Sequence, residues 1–199
     1  MTLQDEFGNI DIYVFDQLLR GRIAPGTRVF DAGCGGGRNL VYLLREGFDV
    51  CGNDADPNAI RQVRALASSL SPRGEFDFRV EPIERTSFPD DHADFVMSNA
   101  VLHFARDAEQ LEAMLRQTWR VLKRGGMFFA RLASTIGIED RIHEVDGGRF
   151  RLPDGSDRFL IDAPAIESWT RQLGGSLIDP IKTTLVHDQR SMTTWVARK

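Results

Sequence analysis

The chain has 199 residues, 42% of them hydrophobic and 27% charged, with a formal net charge of −4. That length suits one domain with a sizeable core, and that balance excludes a disordered or fibrous chain. Net negative charge and the lack of a Lys/Arg-rich tract argue against a nucleic-acid partner, and no apolar run is long enough for a membrane span.

Two cysteines, Cys34 and Cys51, are too few for a disulfide framework or a zinc site, and no other metal-ligand spacing is present. A reducing cytoplasm fits that usage. Residues 1–7 include Asp5 and Glu6 and no apolar stretch, so no signal peptide is read there.

Residues 7–23 place Ile10, Tyr13, Val14, Leu18 and Leu19 roughly on one helical face, which Gly21 and Ala24-Pro25-Gly26 end. A helical cap over residues 1–27 of a single domain, 1–199, is expected, with Phe7 or Tyr13 near a ligand if it acts as a lid. Val29 and Phe30 then open a strand that runs into Asp31 and four glycines within five positions, Gly33, Gly35, Gly36 and Gly37. Residues 38–46 read as the helix that follows. A glycine turn between strand and helix lets a ligand lie against bare backbone, because glycine tolerates positive φ and close approach. The helix start adds unpaired N–H groups.

The details of the turn separate its possible ligands. A phosphate-cradling P-loop needs Gly-Lys followed by Ser or Thr, and no Lys follows these glycines. The dinucleotide fingerprint needs a small residue at its third glycine position, where this chain has Arg38. Asp31, directly before the turn, suits a cation better than a phosphate.

Residues 49–54 form a short buried strand ending in Asp54, 19 residues after Gly35. An acid at that distance binds ribose hydroxyls in nucleotide folds, since a carboxylate accepts two hydrogen bonds from a vicinal diol. Asp56-Pro57 already supplies the cap of the next helix, residues 58–70, so Asp54 is free for ligand. Phe76, Phe78 and Val80 alternate with charged residues as a strand, and residues 93–100 are a continuous apolar strand leading to His103. His103 is the one candidate general base, although such a residue more often simply packs in the core.

Asp107 and Gln110 look like a capping box for a helix whose Leu111, Met114, Leu115 and Thr118 share a core face, with no ligand role. Residues 127–132 are the next strand. Leu152-Pro153-Asp154-Gly155-Ser156 is a turn inside a predicted hairpin. Within the insertion 134–161, residues 138–159 are expected to cover a substrate, with His143, Arg149 and Arg151 as polar contacts. Ala163-Pro164 begins a last helix, and residues 176–187 and 191–199 form a closing antiparallel pair.

Val29-Phe30-Asp31-Ala32-Gly33-Cys34-Gly35-Gly36-Gly37 resembles motif I of the class I S-adenosylmethionine-dependent methyltransferases, apolar-apolar-Asp/Glu-x-Gly-x-Gly-x-Gly. Gly37-Arg38-Asn39 is similar to the continuation in small-molecule enzymes of the tellurite-resistance type. The resemblance implies an α/β fold: a Rossmann-like three-layer αβα sandwich with a seven-stranded, mostly parallel sheet whose last strand is antiparallel. It also implies S-adenosyl-L-methionine as cofactor and S-adenosyl-L-homocysteine as product.

Under that resemblance Asp31 lies near the cofactor's ammonium and Arg38 meets its carboxylate. Ala32, Gly33, Cys34 and Gly35 form the turn against its methionine part. Asp54 and Ala55 hold the ribose end, and Asn99 and Ala100 contribute backbone. The family's adenine-binding Asp-Ala is replaced here by Pro82 and Ile83, leaving Ile83 with Glu84 or Glu81 to serve. Methyl transfer needs positioning and no obligatory base, which accounts for the absence of a Ser/His/Asp or paired-carboxylate set. A small-molecule methyl acceptor follows. An NAD-linked oxidoreductase, disfavoured by Arg38, and a non-catalytic cofactor-binding subunit are the other readings.

Overall fold

The computed structural model describes residues 2–199. Its strands are β1 (Arg28–Ala32), β2 (Asp49–Asp54), β3 (Asp77–Val80), β4 (Ala93–Asn99) and β5 (Leu122–Ala133), then β6 (His143–Asp146), β7 (Arg149–Arg151) and β8 (Asp157–Phe159), and finally β9 (Ser176–Leu177), β10 (Lys182–Val186) and β11 (Arg190–Arg198). The helices are α1 (Leu3–Phe7), α2 (Ile12–Leu19), α3 (Val41–Arg45), α4 (Pro57–Leu70), α5 (Ala108–Val121) and α6 (Ala163–Gln172).

The main sheet runs β10-β11-β5-β4-β1-β2-β3, with the two-residue β9 added beside β11. Strands β1 to β5 are parallel to one another, and β11 is antiparallel to both β5 and β10. The expected seven-stranded sheet with a reversed last strand is therefore present.

Strand periodicity builds the two cores. Phe30 and Ala32 of β1, Val96 of β4 and Phe128 of β5 point to one face, against Leu111, Met114 and Leu115 of α5 and Ile166 of α6. Val29, Phe95, Met97 and Phe129 point to the other, against Val14 of α2, Leu43 and Leu44 of α3 and Val63 of α4. Successive side chains of a strand face opposite ways, so a strand covered on both sides must be apolar throughout. Fully buried Phe30 and Phe128 each contribute about 1.5–3 kcal/mol. Trp195 on β11 joins the first core and donates its indole N–H to Thr170 Oγ1 at 3.0 Å.

Three local expectations need correction. The helix predicted over residues 7–23 is shorter, α2 at Ile12–Leu19: Phe7 instead ends the preceding α1, and the chain turns at Gly8, whose φ is +64° and where a Cβ would lie 2.7 Å from Val41 Cγ2. Asp11 caps α2, accepting Tyr13 N–H at 2.9 Å. The helix predicted from residue 38 begins at Val41, since residues 38–40 are still turning out of the glycine run. The insertion holds the predicted hairpin, β7 with β8, and a further strand, β6, antiparallel to β7.

Candidate functional site

Strand order reverses around β1, with β2 on one side and β4 on the other, and a crevice opens beyond their carboxyl ends. The glycine turn forms its floor. Gly33 and Cys34 both donate their amides to Asn53 O at 2.9 Å, which holds the turn against the end of β2. Gly33 has φ +80°, and a Cβ there would lie 2.7 Å from Val101, so no side chain fits. Gly35 also has positive φ, +53°, but a Cβ would meet nothing within 4 Å: its backbone faces open space. Asp54 Oδ2 accepts Gly35 N–H at 2.9 Å and Oδ1 accepts Asp56 N–H at 2.9 Å. Each carboxylate oxygen keeps a further acceptor position for a ligand.

Two cavities adjoin at Gly33 and Asp54. The larger, about 710 Å³, is lined by the turn through Gly33, Cys34 and Gly35, by Arg38 and Asn39, and by Asn99 and Ala100 after β4. The smaller, about 250 Å³, is walled by Ala55, Pro82, Ile83 and Glu84 on one side and by Gln110 and Met114 of α5 on the other. Sequence reasoning gave α5 no ligand role and so missed Gln110 and Met114. Gln110 Nε2 donates to Glu84 Oε1 at 2.7 Å, while its Oε1 accepts from Arg106 N at 2.9 Å. Asp107 caps the helix as expected, but the Gln110 side chain does not complete the box. Glu81 is held by Ser87, whose N–H it accepts at 2.8 Å, and it lines neither cavity.

Asp31 and Ala32 are also outside both linings, buried beneath the turn. Asp31 is 2% exposed, and burial raises its pKa to about 7, opposed by the nearby Arg38 charge and reinforced by Asp54. Arg38 Nη2 donates to Asn99 Oδ1 at 2.8 Å. Asn99 Nδ2 is buried without a protein partner, a polar atom still owed a hydrogen bond. Ala100 has φ +63°, the left-handed region in which a non-glycine residue is uncommon, at the point where the backbone borders the cavity.

A third cavity of about 210 Å³ abuts the crevice at Ala100 and Phe104. His103 lines it, accepting Ala133 N–H at 3.1 Å on Nδ1, and burial pushes its pKa down to about 4. The insertion contributes Leu152, Asp154, Ser156 and Arg158 to this wall. The three polar residues expected there are elsewhere. His143 is exposed, Arg149 Nη1 donates to Ala105 O at 2.9 Å, and Arg151 pairs with Asp157. No group of three or more His, Cys, Asp or Glu side chains that would hold a metal occurs among the described residues.

A parallel α/β sheet with a glycine turn and an acid at the end of the next strand defines an α/β cofactor-binding protein. A profile of the methyltransferase domain matches residues 30–130, and the chain belongs to that family. An uncharacterised methyltransferase of Synechocystis is 35% identical over 116 residues, covering 53% of this chain and 47% of its own. A ubiquinone biosynthesis O-methyltransferase of Bartonella bacilliformis is 30% identical over 118 residues, 57% of this chain and 45% of its own. The matched region thus spans about half the length of these curated relatives. Neither bears a tellurite-resistance name, and that finer likeness rests on Arg38 and Asn39 alone.

Among solved structures, an S-adenosylmethionine-dependent methyltransferase of Methanosarcina mazei superposes with a TM-score of 0.76 at 20% identity, covering 92% of this chain and 96% of its own. A Burkholderia thailandensis N1-methyltransferase, solved with 1,6-didemethyltoxoflavin and S-adenosylhomocysteine, superposes with a TM-score of 0.73 at 17% identity, covering 99% and 80%. At such identities the likeness is one of fold.

Proposed function

We propose that the protein is an S-adenosyl-L-methionine-dependent methyltransferase acting on a small-molecule acceptor. The observation that carries this reading is the two-lobed crevice whose lobes meet at Asp54, with the open Gly35 backbone and Arg38 in one lobe and Ile83, Glu84 and Gln110 in the other. An elongated ligand with a charged amino-acid tail at one end and a base at the other fits that shape. The unpartnered Asn99 Nδ2 and the buried Asp31 carboxyl both gain from such a tail, one by a hydrogen bond and the other by an ammonium.

In this assignment Asp54 accepts from both ribose hydroxyls and Ala55 packs beside them. Arg38 pairs with the tail's carboxylate, as guanidinium does with carboxylates generally. Ala32, Gly33, Cys34 and Gly35 shape the turn, and Asn99 and Ala100 close its far side. Ile83 offers an apolar face to adenine, with Glu84 and Gln110 as a linked acceptor and donor at its edge. The cofactor supplies a methyl group already activated on sulfur. The chain's task is to align a nucleophile and exclude water, and α2 with its capping Asp11 closes the Asn39 side of the crevice through the Asp11 N–H to Asn39 Oδ1 bond at 2.9 Å.

His103 donates in this scheme and does not act as a base: its Nδ1 is occupied and its low pKa keeps the ring neutral. The buried free thiols Cys34 and Cys51 suit a cytoplasmic setting. An NAD-linked oxidoreductase is disfavoured because Arg38 occupies the fingerprint position where close packing of helix on strand needs a small residue. Calorimetric titration with S-adenosylmethionine, S-adenosylhomocysteine and NAD tests the reading, with turnover of labelled methyl donor over a panel of small acceptors. Binding of the first two and not the third is expected. NAD binding alone would replace it with the oxidoreductase, and binding without turnover of any acceptor would favour the non-catalytic subunit.

A further inference from the structure

The cavity beside the crevice carries an unbalanced charge. Two arginines and one carboxylate line it. Arg190 is paired with Asp154, and Asp154 Oδ1 also accepts Ser156 N–H at 2.9 Å and Ser156 Oγ–H at 2.6 Å. That acid is fully engaged. Arg158 is different. It lies over the face of Phe104, Cζ 4.7 Å from the ring centre, and among the described residues its guanidinium makes one hydrogen bond, Nη1 to the Asp157 carbonyl at 2.7 Å.

Among the described residues Arg158 has no carboxylate within ion-pair distance, and the Asp157 carboxylate itself is held by Arg151. The guanidinium therefore keeps most of its five donors for something else.

His103 adds a second donor. Its Nδ1 accepts Ala133 N–H, so the neutral ring carries its proton on Nε2. No protein acceptor takes that proton among the described residues. Leu152, Met192 and Ala133 complete an apolar wall. At about 210 Å³ the space is smaller than the roughly 300–1,000 Å³ of sites for drug-sized ligands.

Building on the methyl-transfer reading, we propose that this cavity receives the methyl acceptor by a carboxylate on a small apolar body, held by the Arg158 guanidinium and the His103 Nε2–H. The carboxylate is a handle and not the nucleophile. Hydrogen bonds from two donors draw density from its oxygens, whereas the reacting atom must lie toward Ala100 and Phe104, where this cavity meets the crevice. Arg158 and His103 are on this account specificity-determining residues, and the acceptor is a compact acid of about one ring.

The test uses benzoate and its neutral isostere benzamide as probes, titrated by calorimetry into the protein alone and into its complex with S-adenosylhomocysteine. Benzoate is expected to bind at least about tenfold more tightly than benzamide, the scale of one charge-assisted contact. Arg158→Gln should abolish that preference and Arg158→Lys should retain part of it, with S-adenosylhomocysteine affinity unchanged in both. Equal affinity for the two probes, including no measurable binding of either, overturns the proposal. So does an undiminished preference in Arg158→Gln. Failure of the parent protein to bind S-adenosylhomocysteine would instead overturn the methyl-transfer reading, while the probe preference on the free protein still decides the anion site.

Discussion

Asp54 accepts the Gly35 amide at 2.9 Å, so the acid that ends one strand and the glycine turn that follows another are a single unit. Under the proposed assignment, removing the carboxylate does two things: it strips the ribose of its acceptor and it releases the turn. Asp54→Ala is expected to weaken S-adenosylhomocysteine binding by about 1.5–3 kcal/mol or more, roughly ten- to a hundredfold. Asp54→Asn, which keeps one carbonyl oxygen, should lose less. Gly35→Val adds strain at φ +53° and a side chain in the ligand's space, so it should also bind poorly. Calorimetry reads all three, and unchanged affinity in Asp54→Ala would remove the ribose assignment.

Asp31 and His103 give opposite pH dependences. Burial raises Asp31 to about 7, so between pH 4 and 7 the folded chain keeps a proton the unfolded chain has lost, and stability falls as pH rises through that window. His103, buried and neutral with its pKa lowered to about 4, must take up a proton on unfolding below its ordinary value. Its contribution is full above pH 6.5 and is lost as pH falls toward 4. Asp31→Asn should raise the Tm of the ligand-free protein by several degrees at pH 8 and by little at pH 4, while weakening cofactor affinity. Thermal denaturation across pH measures the first effect. A proton released on binding S-adenosylhomocysteine at pH 6, seen as a buffer-dependent enthalpy, would mark the ammonium beside Asp31.

The N-terminal cap is fastened by a buried ion pair. Arg131 Nη1 donates to Asp11 Oδ2 at 3.0 Å, with the Asp11 side chain 4% exposed. Asp11→Ala strands the arginine and removes the α2 cap, and should cost about 3–5 kcal/mol in urea unfolding. Asn39→Ala breaks only the bond to the Asp11 amide and should cost about 1–2 kcal/mol. Amide exchange in α2 is expected to speed up in both.

A base at His103 and a donor at His103 differ in their kinetics. With its pKa near 4, a donor leaves the pH–rate profile flat through the usual histidine range. His103→Gln should keep S-adenosylhomocysteine affinity within about twofold and raise KM for the acceptor more than it lowers kcat. Loss of a titration step near neutral pH in that variant would restore the base.

Much of the site is local in sequence and was legible there. The glycines and Asp54 announce themselves because a turn against a ligand needs residues without Cβ, and a diol needs a carboxylate; both requirements act within a few bonds of the residue concerned. Asp107 and Asp56 were legible as caps for the same reason. The start of α2 at Ile12 was not, since Ile10 falls on the same apolar face as Tyr13 and Val14 although it precedes the helix.

The sequence by itself determined the alternation of strands and helices, the apolar strands buried on both faces, and the turn with its partner acid. Only the tertiary structure decided that Asp31 lies beneath the turn and outside the cavities, that Gln110 and Met114 wall the smaller lobe, and that Arg158 and Arg190 replace His143, Arg149 and Arg151 at the third cavity. Those facts depend on which surfaces meet when α5 and the insertion dock on the sheet. Periodicity says which side of an element is apolar; it carries no information about which polar residue at its margin ends up facing another element many residues away.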